Sequence, residues 1–312
     1  MVVVFLFQEN FFLFPLIMLV LFFEINLSRI PNTYNTKCWI FENGLSKIEV
    51  LVLGSSHAKN GINPNYLDGQ AFNMASASQS LYYDQQLLVR YLSRMTKLKV
   101  VIVDISLFSL ETELADGEAF RQFFYTRYYH ITPYKQSYVW DVRNYSLFSL
   151  YGAMNSLEYA KKGFAVNLAG DIDPKGWDRS YDKFHPQDEI SLKAGGEKVK
   201  SHLQSMNPRH ISDNVTHLKD LIVALEARRI RVVFVTTPVF HTYSDCIPAD
   251  RYQRTQKVIY DLCRTYGIKY FNHLSDNRFL IADVSDSDHL NASGARKFSQ
   301  IINNEFVRAY LS

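Results

Sequence analysis

Nearly unbroken apolar runs recur along this chain: Lys47–Leu53 (KIEVLVL), Ala71–Ala75 (AFNMA), Lys99–Ile105 (KVVIVDI) and Arg231–Thr236 (RVVFVT). A fifth, shorter run is Ile268–Phe271. Runs of this length, rich in β-branched residues, read as strands buried on both faces. The segments between them change period. Leu81, Leu88, Tyr91, Leu92 and Met95 fall on one face of a helix over Leu81–Met95. Val215, Leu218, Leu221, Ile222 and Leu225 do the same over Ile211–Ala227. Asp250–Tyr266 reads as a helix stopped by Gly267, and Asn291–Tyr310 as the closing helix. Buried strands alternating with helices predict a parallel sheet of about five strands with helices on both faces. Such sheets place their sites at the carboxyl ends of strands.

Two regions depart from this rhythm. Residues 1–28 contain Phe11–Phe23 (FFLFPLIMLVLFF), a run without charge or polar face. That run alone is shorter than the roughly 20 residues a bilayer-crossing helix needs, and extending it brings in Glu9. It lacks the basic start and small-residue cleavage site of a signal peptide, so the expectation is an uncleaved membrane anchor over 1–28. Residues 29–46 read as a linker and 47–312 as the main domain. Within the latter, 110–208 is an aromatic-rich insertion between the third and fourth strands, crowded with Phe123, Phe124, Tyr125, Tyr128, Tyr129, Tyr134, Trp140 and Tyr145. It reads as a helical cap over the site end of the sheet, with much of its aromatic content as core. Asp173–Gly196 reads as a loop within it.

Composition narrows the class. With 312 residues, 22 Phe and 20 Tyr, the chain can bury a large core without metal or disulfide staples. A net charge of +3, with no basic run, gives no reason to expect nucleic acid. The three cysteines, Cys38, Cys246 and Cys263, form no CxxC pair. They read as free or buried thiols, with a Cys246–Cys263 bridge as the alternative in an exported domain. No glycine-rich phosphate loop follows the first strand, so no nucleotide cofactor is expected, and no metal.

Two short motifs carry chemistry. The first strand ends at Gly54-Ser55-Ser56-His57, where a glycine permits a sharp turn and presents a serine hydroxyl beside backbone N–H groups. Near the C-terminus stands Asp286-Ser287-Asp288-His289-Leu290-Asn291. An aspartate three residues before a histidine can hold one ring nitrogen while the other faces a serine as general base. Asn291 can cap the helix that follows. Asp288 reads as a cap or surface charge, and His57 as a residue that lines the site or bonds locally. Thr237-Pro238 and His241 follow the fourth strand on the site face.

Taken together, these motifs resemble the SGNH or GDSL-like hydrolase superfamily, over roughly residues 47–109 and 210–311. The resemblance implies a flavodoxin-like three-layer α/β sandwich and a triad of Ser56, His289 and Asp286. It also implies an oxyanion hole drawn from the second and third strand ends. Here Asn73–Ser78 lacks the expected glycine and Asp104–Leu107 lacks the expected asparagine, leaving Ser78, Ser106, Asn73 and His57 as candidates for oxyanion or substrate contacts. One lost oxyanion donor costs about 100- to 1000-fold in rate.

With the apolar N-terminus, the chain is similar to the envelope acyl-transfer branch, which includes alginate O-acetylation factors and teichoic acid D-alanine transfer proteins. That likeness implies a domain on the periplasmic or extracellular side, a cell-envelope carbohydrate or acyl donor as partner, and a membrane acyl carrier. Two other readings stay open: a plain esterase with the same triad, and a catalytically degenerate polysaccharide-binding or assembly protein.

Overall fold

The structure, a computed structural model, describes residues 2–179, 182 and 192–311, with side chains from residue 13 onward. The main helices, in chain order, are α1 (Val2–Ser28), α2 (Thr33–Gly44), α3 (Ser56–Gly61), α4 (Leu81–Tyr91), α5 (Leu147–Tyr151), α6 (Ala153–Lys161), α7 (Gly195–Ser205), α8 (Ile211–Glu226), α9 (Ala249–Tyr266) and α10 (Ala292–Ile302). The chain forms two compact units, Met1–Thr36 with Phe120–Gly170, and Lys37–Ala119 with Asp171–Ser312.

The second unit holds the sheet. Its strands are β1 (Val50–Leu53), β2 (Ala71–Asn73), β3 (Val100–Asp104), β4 (Arg231–Thr236) and β5 (Lys269–Asn272). They lie in the order β2-β1-β3-β4-β5, every pair parallel, which is the flavodoxin-like order. The apolar runs of β1–β4 predicted this because both of their faces are covered, whereas β5, at the edge of the sheet, is partly exposed. Val50, Val52, Val100, Ile102, Val233 and Val235 share a core with Phe298, Ile302 and Phe306. Leu51, Leu53, Val101, Val103 and Phe234, which alternate with them, are equally buried, and α8 packs on β4 and α4. β1 is central and its chain leaves toward β2, while β3 lies on its other flank. The turn after β1 therefore opens at the topological switch point, where such sheets bind ligands.

Residues 29–46, expected as a linker, instead contain α2. Tyr34, Lys37, Cys38, Phe41 and Leu45 are buried at helical spacing. The lysine inside this stripe disguised it. Asn32 caps the helix start, its Oδ1 accepting from the N–H groups of Tyr34 (2.9 Å) and Asn35 (3.0 Å). Of the loop expected over Asp173–Gly196, residues 180, 181 and 183–191 lie outside the described residues, and α7 already begins at Gly195. The closing helix is interrupted: α10 ends at Ile302 and a π-turn spans Asn303–Val307. All three cysteines are free thiols.

In the first unit, Leu27, Ile30 and Leu147 form a core with Phe23, Tyr128, Phe148, Tyr159 and Phe164 around them. Glu24 caps α5, accepting from Ser146 Oγ (2.6 Å) and from the N–H groups of Leu147 (2.9 Å) and Phe148 (3.1 Å). A carboxylate at a helix start satisfies donors that the helix itself leaves unpaired. The apolar side chains from Leu13 to Phe22 stand about half exposed. Among the described residues, no helix is long and apolar enough to cross a membrane.

Candidate active site

The turn after β1 is built around a close approach. Gly54 has φ +138°, and a Cβ there would lie 2.6 Å from Asp104 Cβ, so only glycine fits. Ser55 then caps α3, its hydroxyl accepting from His57 N–H at 3.4 Å. Ser56 is the first residue of that helix.

The closing motif meets it from the other end of the chain. Asp286 Oδ1 accepts from the N–H groups of Asp288 (3.0 Å) and His289 (2.7 Å), which folds the loop around its own carboxylate. The same carboxylate lies 3.0–3.1 Å from His289 Nδ1. His289 Nε2 lies 2.8 Å from Ser56 Oγ. Asn291 fastens the loop to α10, accepting from Gly294 N–H (3.0 Å) and donating to Ala282 (2.8 Å) and Val284 (3.1 Å) carbonyls. With Nδ1–H directed at Asp286, Nε2 is left with a lone pair toward the serine hydroxyl. The structure thus brings Ser56, His289 and Asp286 into one hydrogen-bonded chain.

A second chain runs behind the first. Asp288, expected as a cap or surface charge, is only 1% exposed. Its carboxylate lies 3.4 Å from His289 Nδ1 and 3.4 Å from His57 Nε2, with Lys198 Nζ at 3.8 Å. The loop that Asp286 folds turns Asp288 inward, where two imidazoles offset its burial. His57, 3% exposed, does not line the cleft. Its Nδ1 meets Ser106 Oγ at 2.9 Å, and that hydroxyl donates to Asp104 Oδ2 at 2.8 Å. Ser106 is therefore engaged with Asp104 and His57 rather than offered to an oxyanion, and its N–H donates to Ser109 Oγ.

These contacts shift the titrating groups. Burial is the largest influence on His289 and pushes it down, but the charge of Asp288 and the hydrogen bond and charge of Asp286 outweigh it. The imidazole stands above its usual range. Burial pushes Asp288 up, yet His289, His57 and Lys198 hold it below the usual carboxylate range. Asp104 is raised by its burial.

The oxyanion candidates divide. Asn73 is fully buried; its Nδ2 donates to the carbonyls of Ala58 (3.0 Å) and Ile62 (2.7 Å), and its Oδ1 accepts from Ala75 N–H (2.9 Å). It ties β2 to α3 and has no donor left for a ligand. Buried Lys37 reinforces the same strand end, donating to the carbonyls of Asn73 (3.0 Å) and Ala75 (2.8 Å), and burial pulls its ammonium down to about 7. Ser78 does face the cleft, in a left-handed conformation (φ 56°), its hydroxyl bonded to Glu118.

The cleft beside Ser56 has a volume of about 250 Å³. Ser78, Phe108, Glu113, Ser201 and His202 are among the residues lining it. His202, on α7, went unread in the sequence because no motif surrounds it. Thr237 is buried and His241 is exposed beside Asp245. Neither lines this cleft. The one grouping among the described residues with a spacing suited to a metal ion is His57, Asp288 and His289. Its members are the same atoms that hold the proton chains just described.

No known family model matches this sequence, and no curated protein matches it. Among solved structures, it is similar to a protein from Bacteroides fragilis NCTC 9343 provisionally named an acylhydrolase. The match has 10% identity, 88% of this chain and 98% of that one covered, and a TM-score of 0.43. It is also similar to a GDSL-like lipase from Bacteroides thetaiotaomicron VPI-5482, at 9% identity, 89% and 99% coverage and a TM-score of 0.40. A protein from Streptococcus pneumoniae provisionally named a platelet activating factor matches at 9% identity, 95% and 98% coverage and a TM-score of 0.43. At this distance the likeness carries no chemistry; the geometry around Ser56 does.

Proposed function

We propose that this protein is an SGNH-type serine esterase or O-acyltransferase with Ser56, His289 and Asp286 as its triad. One observation carries the reading: Ser56 Oγ lies 2.8 Å from an imidazole whose other nitrogen is held by a carboxylate. In the first step Ser56 Oγ attacks the ester carbonyl and its proton passes to His289 Nε2. The tetrahedral intermediate collapses to acyl-serine as the leaving alcohol takes that proton. Water or an acceptor hydroxyl then gives its proton to His289, attacks the acyl-serine, and releases Ser56 as the proton returns. The N–H groups of Ser56 and Ser78 are the backbone donors for the oxyanion.

We take the acceptor or substrate to be an O-acylated cell-envelope polysaccharide. The cleft supports this with hydroxyl, amide and carboxylate groups from Ser78, Gln79, Thr112, Glu113 and Ser201 beside the ring of Phe108. We further propose that α1 attaches the protein to a membrane, supported by the exposed apolar side chains from Leu13 to Phe22. The domain would then lie on the periplasmic or extracellular side, near a membrane acyl carrier.

The deciding experiment is labelling with a fluorophosphonate probe. Wild type is expected to label, Ser56→Ala not at all and His289→Ala only weakly. A folded wild-type protein that does not label would turn the assignment toward the degenerate binding protein. Acetyl release compared with transfer to a sugar acceptor separates esterase from transferase.

A further inference from the structure

The cleft contains a histidine that the triad does not use. His202 sits on α7 with Ser201 and Ser205, all three facing the cleft that holds Ser56. Its Nδ1 lies 2.7 Å from the hydroxyl of Tyr243, a fully buried residue. That is the hydroxyl's one hydrogen bond among the described residues, and a buried O–H left without an acceptor is costly. The tyrosine proton therefore goes to Nδ1, and a neutral His202 must carry its own proton on Nε2. Nε2 is 3.8 Å from Asp288 Oδ2, beyond hydrogen-bond reach, so this N–H is unengaged. The charged or titratable groups around the ring are Asp288, His57, Lys198, His289 and Tyr243. Burial dominates among the influences on the ring and brings it down to about 4, so the imidazole is neutral through the range where His289 works as a base.

The two side chains that the strand ends would offer an oxyanion are engaged elsewhere: Asn73 with Ala58, Ile62 and Ala75, and Ser106 with Asp104 and His57. We propose that His202 Nε2–H is the side-chain oxyanion donor of this site, taking the place of the asparagine that the third strand end lacks. Tyr243 is its positioning residue. This inference rests on the triad reading. It makes His202 a catalytic residue that touches the acyl carbonyl oxygen as charge develops on it.

The test uses the full chain, with the fluorophosphonate probe and p-nitrophenyl acetate, on His202→Leu, His202→Asn and Tyr243→Phe. His202→Leu fills the space without a donor. It is expected to lower kcat and the labelling rate about 100-fold, with KM nearly unchanged. His202→Asn restores an N–H donor and is expected to recover about tenfold of that loss. Tyr243→Phe leaves the ring in place but frees its proton to move to Nδ1, and kcat is expected to fall about tenfold. A folded His202→Leu that labels at the wild-type rate overturns the proposal while leaving the triad intact. So does a His202→Asn no faster than His202→Leu. Should His202→Leu not fold, an unchanged kcat in Tyr243→Phe overturns it equally. Wild type that fails to label at Ser56 overturns the triad and this inference together.

Discussion

On one side of Ser56 lies the loop from Val284 to Asn291, in which nearby residues hold His289 by backbone and side-chain bonds over a span of three or four positions. On the other side lie the ends of β2 and β3. There Ser106, Asp104 and His57 bind one another, and Asn73 binds Ala58, Ile62 and Ala75, across sequence separations of 2 to 49 residues. The first side is a local device that points a base at a nucleophile. The second is a buried polar scaffold whose polar groups are engaged within the protein. A polar residue at a strand end can thus serve the frame of a site rather than its chemistry.

The sharpest way to break this division is to remove one member of the local device. Ser56→Ala and His289→Ala are each expected to lower kcat for p-nitrophenyl acetate about 10⁴-fold or more, because nucleophile and base act as a unit. The melting temperature of Ser56→Ala should barely change, whereas His289→Ala should melt lower because buried Asp288 loses one of its two imidazoles. On the scaffold side the reverse is expected. Asn73→Ala leaves the carbonyl of Ile62 and the N–H of Ala75 without their partner, while the Ala58 carbonyl keeps the Ile62 N–H. At roughly 1–3 kcal/mol for each orphaned buried group, the loss is about 2 kcal/mol or more of unfolding free energy, read by denaturant titration. A folded Asn73→Ala with unchanged stability would show that Asn73 is not a frame residue.

Asp286 and Asp288 sharpen the comparison within a single loop. Both approach His289 Nδ1, but Asp286 is about one-third exposed and Asp288 is buried against His57 as well. Asp286→Asn loses the carboxylate that fixes the tautomer and is expected to lower kcat about 10³- to 10⁴-fold. Asp288→Asn removes a charge that holds His289 above its usual range. His289 must be neutral to act as a base, so the acid limb of the pH–rate profile should move to lower pH. If it stays in place, Asp288 does not act on His289's titration.

The local device was legible in the sequence because each part is a contiguous motif: a glycine at a strand end, then Asp-x-x-His before an asparagine-capped helix. The sheet was legible for the same reason, since each strand is an apolar run of its own. What was not legible depends on contacts between distant segments. Asp288 reads as a surface charge until the turn made by Asp286 is seen to point it inward. His202 and Tyr243 carry no motif; only the packing of α7 brings His202 to the cleft, with buried Tyr243 behind it. α2 hid because Lys37 interrupts its apolar stripe, and that lysine makes sense only with the Asn73 and Ala75 carbonyls opposite it.

Asp84 ties the nucleophile turn to the scaffold side, and it yields the smallest but most direct test. Its carboxylate accepts from the N–H of Gly54 in the nucleophile turn and from Gln79 Nε2 (2.5 Å) in the loop after β2. Burial raises its pKa to about 8, opposed by the hydrogen bonds from Gln79 and Gly54 and aided by the charges of Asp104 and Glu113. The folded protein therefore keeps a proton that the unfolded chain releases above the ordinary carboxylate range. The folded state binds more protons from about pH 4 to about pH 8, so stability falls as pH rises through that window. The slope is about 1 kcal/mol per pH unit, and buried Asp104, also raised, adds to it in the same direction. Lys37, lowered to about 7, acts in the opposite direction only above that pH. Asp84→Asn keeps an acceptor for Gly54 and has nothing to ionise. The difference in unfolding free energy between variant and wild type is expected to grow steadily from pH 5 to pH 7 in the variant's favour. A difference that stays flat across that range would mean that Asp84 is ionised in the folded protein, and that the nucleophile turn is tied to the scaffold by a charge rather than by a neutral hydrogen bond.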